Sequence, residues 1–147
     1  MKNRNRLILC VTLIIVAAFL LGGCQILNDA AQLQEYDFGT DKIPTINSIV
    51  GERKVRNIDT STTNGVPQKQ YTYESETVLD DLIMYTMTLR GNGWVVTQSY
   101  NLEVSPGSAQ LAKNSADSGQ ILVLSIAYES DAYAIKITKC EGTLDMG

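Results

Sequence analysis

Apolar residues follow a helical period in one stretch of this chain and a two-residue alternation in several others. Val78, Leu82, Tyr85 and Leu89 are spaced by four, three and four, with Leu79 and Thr86 beside them, so the stretch predicts a helix with one apolar stripe. Thr77 stands where an N-cap belongs, and Asp80 three residues later is placed to reach back as a capping-box acid. Asp80 and Asp81 also lie where the helix dipole favours negative charge, and Gly91 marks the stop. After Gly91-Asn92-Gly93, Trp94, Val96, Tyr100 and Leu102 share one parity and Val95, Thr97 and Ser99 the other, which predicts a half-buried strand. Upstream, Ile46, Ile49, Val50, Val55 and Ile58 read as strand-like. A polar block containing Asn64-Gly65 follows, then Tyr71 and Tyr73. Asn-Gly favours the positive φ values of a tight turn, so a hairpin is expected with arms near Lys54 to Ile58 and Lys69 to Glu74. Downstream, "SAQLAK", "QILVLSIAYE" and "AYAIKITK" alternate with short polar loops and predict an antiparallel meander. The middle segment is apolar on both parities and should lie centrally beneath the helix. Lys113, Lys136 and Lys139 suit solvent-facing or edge positions.

The order of elements predicts an α+β fold of two layers, one helix packed on an antiparallel sheet of about four to six strands: β-hairpin, α, then β-meander. In topology this resembles the cystatin-like and similar small α+β scaffolds. The "SIVG" of residues 48 to 51 precedes the helix instead of following it, so no inhibitory function is carried over. Residues 24–43 are weakly patterned and read as a tether, with a short helix near Asn28 to Gln34. An ordered first strand or helix is the alternative there. The folded domain is then expected over residues 44–147.

The first residues carry another pattern. Lys2, Arg4 and Arg6 precede fifteen nearly unbroken apolar residues, Leu7 to Leu21. That core is short of the ~20 residues of a spanning helix and, with its charged start, reads as a secretory signal peptide over residues 1–23. An uncleaved anchor is one alternative, and an ordinary signal peptide with a chance cysteine is another. Leu21-Gly22-Gly23-Cys24 resembles the lipobox of bacterial lipoproteins, with Gly22 where a small polar residue is usual. The resemblance implies cleavage before Cys24 and a diacylglyceryl group on its thiol. Two palmitate-type chains, at ~0.8 kcal/mol per buried CH₂, would then anchor the domain to the extracytoplasmic face of the cell membrane. The layout of "VGERKV", "YTYES", a helix and "GNGW" resembles small uncharacterised surface lipoproteins of Gram-positive bacteria, which implies a cell-surface location and no particular mechanism.

Loss of residues 1–23 removes three of the twelve Lys plus Arg and none of the sixteen Asp plus Glu, moving the net charge from −4 to −7. That sign argues against a nucleic-acid partner and against a polybasic membrane contact. Cys10 would leave with the signal and Cys24 would be alkylated, so Cys140 would be the one free thiol and the fold must stand without a disulfide. The chain has no histidine, no paired cysteine ligand set, no phosphate-binding loop and no G-x-S-x-G elbow, so no catalytic residue, metal or cofactor is assigned. Glu74, Glu76, Asp80 and Asp81 form the densest acidic cluster and read as helix-start and solvated charges, against a cation site or a carboxylate pair. Tyr71, Tyr73 and Trp94 are the candidate contact surface, and each is also a natural core residue. The expected function is a non-catalytic binding or interaction module held at the membrane through Cys24. The alternatives are an accessory or inhibitor-like protein docking on an envelope enzyme, and a small carboxylate-dependent hydrolase.

Overall fold

A computed structural model of the chain describes residues 26–98 and 101–145. Helix α1 covers residues 26–31. It is followed by strands β1 (Glu35–Phe38) and β2 (Asp41–Pro44), helix α2 (Ile46–Val50), strands β3 (Lys54–Thr63) and β4 (Val66–Glu74), and helix α3 (Val78–Gly91). Strands β5 (Val95–Gln98), β6 (Gly107–Asn114), β7 (Gln120–Tyr128) and β8 (Ala132–Glu141) complete the chain. The fold is α+β but mostly sheet. Strands β3 to β8 form one antiparallel sheet in the order β3-β4-β8-β7-β6-β5, and β1 and β2 form a second, two-stranded sheet. Helix α1 overlaps the short helix expected near Asn28 to Gln34, while α2 and the second sheet were not expected.

The long hairpin forms where Asn64-Gly65 demands it. Both residues have positive φ (52° and 79°), as a two-residue turn matched to strand twist requires. Its arms run well past the expected ends, because the polar threonines and glutamines beside the turn still complete the ladder. The helix α3 buries its expected stripe of Val78, Leu82, Tyr85 and Leu89, with Thr86 alongside. Its N-terminus differs from the expectation: Thr77 makes no side-chain cap bond, and its amide is satisfied by Ser75 Oγ at 3.0 Å.

Three expectations are corrected. Ile46 to Val50 is a helical turn, not a strand. Its apolar residues at 46, 49 and 50 already stand at i, i+3 and i+4, and Thr45 Oγ1 caps it by accepting from Ser48 N at 3.1 Å. Residues 35–43, read as part of a tether, are folded in as a hairpin, because Tyr36, Phe38 and Ile43 alternate with polar residues and all enter the main core. Lys139 anchors that hairpin to the large sheet through Asp41 (2.7 Å) and Asp117, and is not the solvent-facing lysine expected.

One core cluster fills the space between the large sheet and the elements covering it. The sheet supplies Tyr71, Tyr73, Leu111, Leu122, Leu124, Ile126, Tyr133, Ile135 and Ile137. Helix α3, the β1–β2 hairpin, Ile46 of α2 and Ala30 and Ala31 of α1 supply the other side. Strand β7 is central, as expected, but buries one parity only. Ile121, Val123 and Ser125 are half-buried and Ala127 exposed on the other. Leu21, Gly22, Gly23, Cys24, Ser99 and Tyr100 lie outside the described residues.

Candidate functional site: the open face of the sheet

Alternation along a strand sends neighbouring side chains to opposite faces, so burying Tyr71 and Tyr73 turns Gln70 and Thr72 to the other side. Tyr71 stacks on Tyr36 with ring centroids 4.5 Å apart. The Tyr73 hydroxyl meets that of Tyr36 at 2.6 Å, and its ring lies 5.6 Å from Tyr133. Trp94 is buried in the same core. The three residues expected as a contact surface are therefore interior. Large aromatic area is worth more inside, and the hydroxyls of Tyr36 and Tyr73 satisfy each other there.

The face left open follows from the ladder. Thr72 stands opposite Ala134, Ala134 opposite Ala127, and Ala127 opposite Ser108. One step along, Gln70 stands opposite Lys136, Lys136 opposite Ser125, and Ser125 opposite Gln110. Small side chains in the first row leave a trough. A concavity of ≈ 300 Å³ is lined by Arg56, Thr72, Ala127, Glu129 and Ala134 among others, and an adjoining one of ≈ 200 Å³ by Gln70, Gln98, Gln110 and Lys136. Ala127 and Ala134 line both, so the two are one channel with an alanine floor. Its amide wall is held in place: Gln110 Nε2 donates to Ser125 Oγ at 3.2 Å, and Thr97 Oγ1 donates to Gln110 Oε1 at 3.0 Å.

Arg56 also lines a charged groove of ≈ 570 Å³ with Glu52, Lys54, Glu74, Glu76, Thr77 and Asp131. Glu74 accepts from Lys54 at 3.1 Å and from Arg56 at 3.0 Å. Those two bonds hold its carboxyl below the usual range. Beneath the groove lies Asp81, which sequence reading placed among the helix-start charges and the structure buries. Arg53 grips it side-on with one edge of its guanidinium, Nε to Oδ2 and Nη2 to Oδ1, each at 2.7 Å. Ser75 Oγ donates at 2.6 Å, Thr77 Oγ1 at 3.2 Å and Tyr133 Oη at 3.2 Å. Burial pushes the Asp81 pKa up, but the Arg53, Ser75 and Thr77 bonds outweigh it and the net shift is downward. Burial, and then the charge of Asp81, push the Tyr133 phenol well up, so it stays a donor. Asp41 is treated alike. Burial raises its pKa, while the Ala116 amide (2.8 Å), Lys139 and Ser115 Oγ (2.6 Å) bring it below the ordinary value.

Both buried carboxylates are thus held as hydrogen-bonded anions that tie distant elements together. Among the described residues no three Cys, Asp or Glu side chains stand close enough to share a metal ion, and no helix is long and apolar enough to cross a membrane. No known protein family, curated protein or solved structure matches the chain.

Sequence reading missed this site for a definable reason. The alternation at Gln70 to Tyr73 announced two faces, but the residues that cover one of them come from α1, α2, α3 and the β1–β2 hairpin. Arg53 and Asp81, 28 residues apart, carry no local signal at all.

Proposed function

We propose that the chain is a membrane-anchored, extracytoplasmic interaction module that binds without catalysis. It is held through lipid on Cys24 and contacts its partner with the open face of the sheet. The observation that supports this most is the composition of that face. It has a neutral floor of Ala127 and Ala134, walls of hydroxyls, amides and the Lys136 ammonium, and charged side chains at its margins in Arg56 and Glu129. A neutral centre with a polar rim is the layout of a protein-protein contact. The partner is accordingly an envelope protein. Docking on an envelope enzyme as an accessory subunit is the form of this reading favoured by the groove beside Arg56, whose alternating charges extend the rim. The occupied state of Asp41 and Asp81 speaks against a carboxylate-dependent hydrolase.

The test is crosslinking on intact cells carrying the full-length chain, with Cys24→Ala and Ala127→Glu as comparisons. Ala127 is exposed, so the new carboxylate enters the trough without touching the core. A dominant partner is expected that is lost in both variants, with Cys24 acylated in Ala127→Glu. Equal capture by Ala127→Glu, or no capture above background by the unsubstituted chain, overturns the proposal.

A further inference from the structure

Eight large apolar residues are exposed among the described ones. Five of them, Ile26, Leu33, Ile83, Met84 and Met87, belong to α1, the residues after it, or α3. On α3 the exposed Ile83 (40%), Met84 (50%) and Met87 (66%) lie opposite the buried stripe of Leu82, Tyr85 and Leu89. That side also carries Asp80, Thr88 and Arg90, so it is amphipathic, with three large apolar side chains among polar ones as an interfacial surface has. On α1, Leu27, Ala30 and Ala31 face the core at i, i+3 and i+4, which leaves Ile26 (63%) outward. Leu33 (40%), seven residues on, is exposed just beyond the helix.

We propose that this layer of helices lies flat on the lipid bilayer, with these five side chains in its interfacial region, so that the open face of the sheet looks away from the membrane. The inference rests on the reading of Cys24 as the lipid-bearing residue. A single residue, Gln25, separates Cys24 from Ile26, so fully extended chain spans about 7 Å from the lipid-bearing residue to α1. Helix α1 has no slack of its own. It packs into the core through Ala30 and Ala31, and the Ala31 carbonyl accepts from Asn47 Nδ2 at 2.9 Å. A bilayer holding lipid on Cys24 therefore comes up against α1 and the layer to which it belongs. The exposed charges of α1 and α3 are Asp29, Asp80 and Arg90, an acidic balance that offers anionic head groups no attraction. The contact is apolar, and uncharged phosphatidylcholine serves as well as an anionic surface.

The test uses the full-length chain produced in a lipoprotein-processing bacterium and placed in phosphatidylcholine vesicles, with intact mass reporting acylation of Cys24. Cys140→Ser removes the free thiol. An environment-sensitive fluorophore is then placed through Asn28→Cys on α1, Met87→Cys on α3, or Ser61→Cys on β3. All three positions are exposed, and the emission of buried Trp94 checks each fold. Met84→Cys is the second α3 site should Met87→Cys disturb the fold. Labels on α1 and α3 are expected to shift to the blue and to be quenched several-fold more by brominated lipid than the label at position 61, with no loss in high salt. With Cys24 acylated, a label on α1 or α3 as open to aqueous iodide as the one on β3, or lipid quenching strongest at position 61, overturns the docking alone. A chain without lipid on Cys24 overturns the anchor reading and the docking with it.

Discussion

Arg53 and Asp81 show how much a single polar pair carries in this chain. The carboxylate is almost fully enclosed, with five donor bonds converging on it from Arg53 just before β3, Ser75 and Thr77 in the turn before α3, and Tyr133 of β8. Removing the guanidinium leaves a buried charge with hydroxyls alone, so Arg53→Met is expected to cost about 2–4 kcal/mol by urea unfolding. The acid limb of stability follows from the same pair and from Asp41. Both folded-state pKa values lie below the ordinary aspartate value, so the unfolded chain binds more protons around pH 4. The stabilisation is complete above the unfolded value and is lost as pH falls through the folded ones. Urea midpoints should therefore be level from about pH 7 to 5 and drop below about pH 4, with a shallower acid limb in Asp81→Asn. A steeper loss above pH 5 would contradict this. Gly107 is a second residue-scale constraint. A Cβ there would sit on the ring of Tyr128, whose hydroxyl donates to Asn101 O at 2.6 Å, so Gly107→Ala should cost about 1–3 kcal/mol and free the loop before β6.

At the scale of elements, caps and turns decided what periodicity alone could not. The stretch Ile46 to Val50 carries β-branched residues and reads as strand, yet Thr45 makes it a helical turn. Its hydroxyl accepts from Ser48 N and donates to Leu33 O at 2.6 Å, joining α2 to the segment after α1. Thr45→Val keeps the shape and loses both bonds, and should destabilise by about 1–2 kcal/mol in thermal or urea unfolding. The helix α3 was legible because its four large buried apolar residues, Val78, Leu82, Tyr85 and Leu89, keep the helical spacing of four, three and four. Its other side, with Ile83, Met84 and Met87, was not read from the single stripe, since exposure is a property of what fails to cover them. Met84→Ser and Met87→Ser together should leave urea stability within about 0.5 kcal/mol while weakening association of the acylated chain's helix layer with vesicles. A large stability loss would show that the side chains are structural.

At the scale of the whole molecule, the chain passes from β4 over α3 to the far edge of the sheet and returns, strand by strand, until β8 lies against β4. That return brings Lys139 to the β1–β2 hairpin, a hundred residues earlier in sequence, and the lysine closes on Asp41 and Asp117 with 11% of its side chain exposed. Lys139→Met should raise amide exchange in β1 and β2 while β7 and the rest of β8 keep their protection, because it removes the cation closing on Asp41 and leaves the hairpin its apolar residues, the Ser115 and Ala116 bonds to Asp41, and the neutral bonds to Tyr36, Pro44 and Asp37. Uniform loss of protection would mean that the hairpin and the large sheet unfold as one unit.

What the sequence determined by itself is whatever depends on residues near one another in the chain: the Asn64-Gly65 turn, the stripe of α3, the meander and the presence of two faces on β4. These are settled by φ preferences and by the periods 3.6 and 2. Only the tertiary structure decided which face of the sheet is covered, that residues 35–43 belong to the core, and that Asp81 and Lys139 are buried ions and not surface charges. Each of those outcomes depends on groups brought together from distant parts of the chain, and a carboxylate looks the same in sequence whether water or an arginine will meet it.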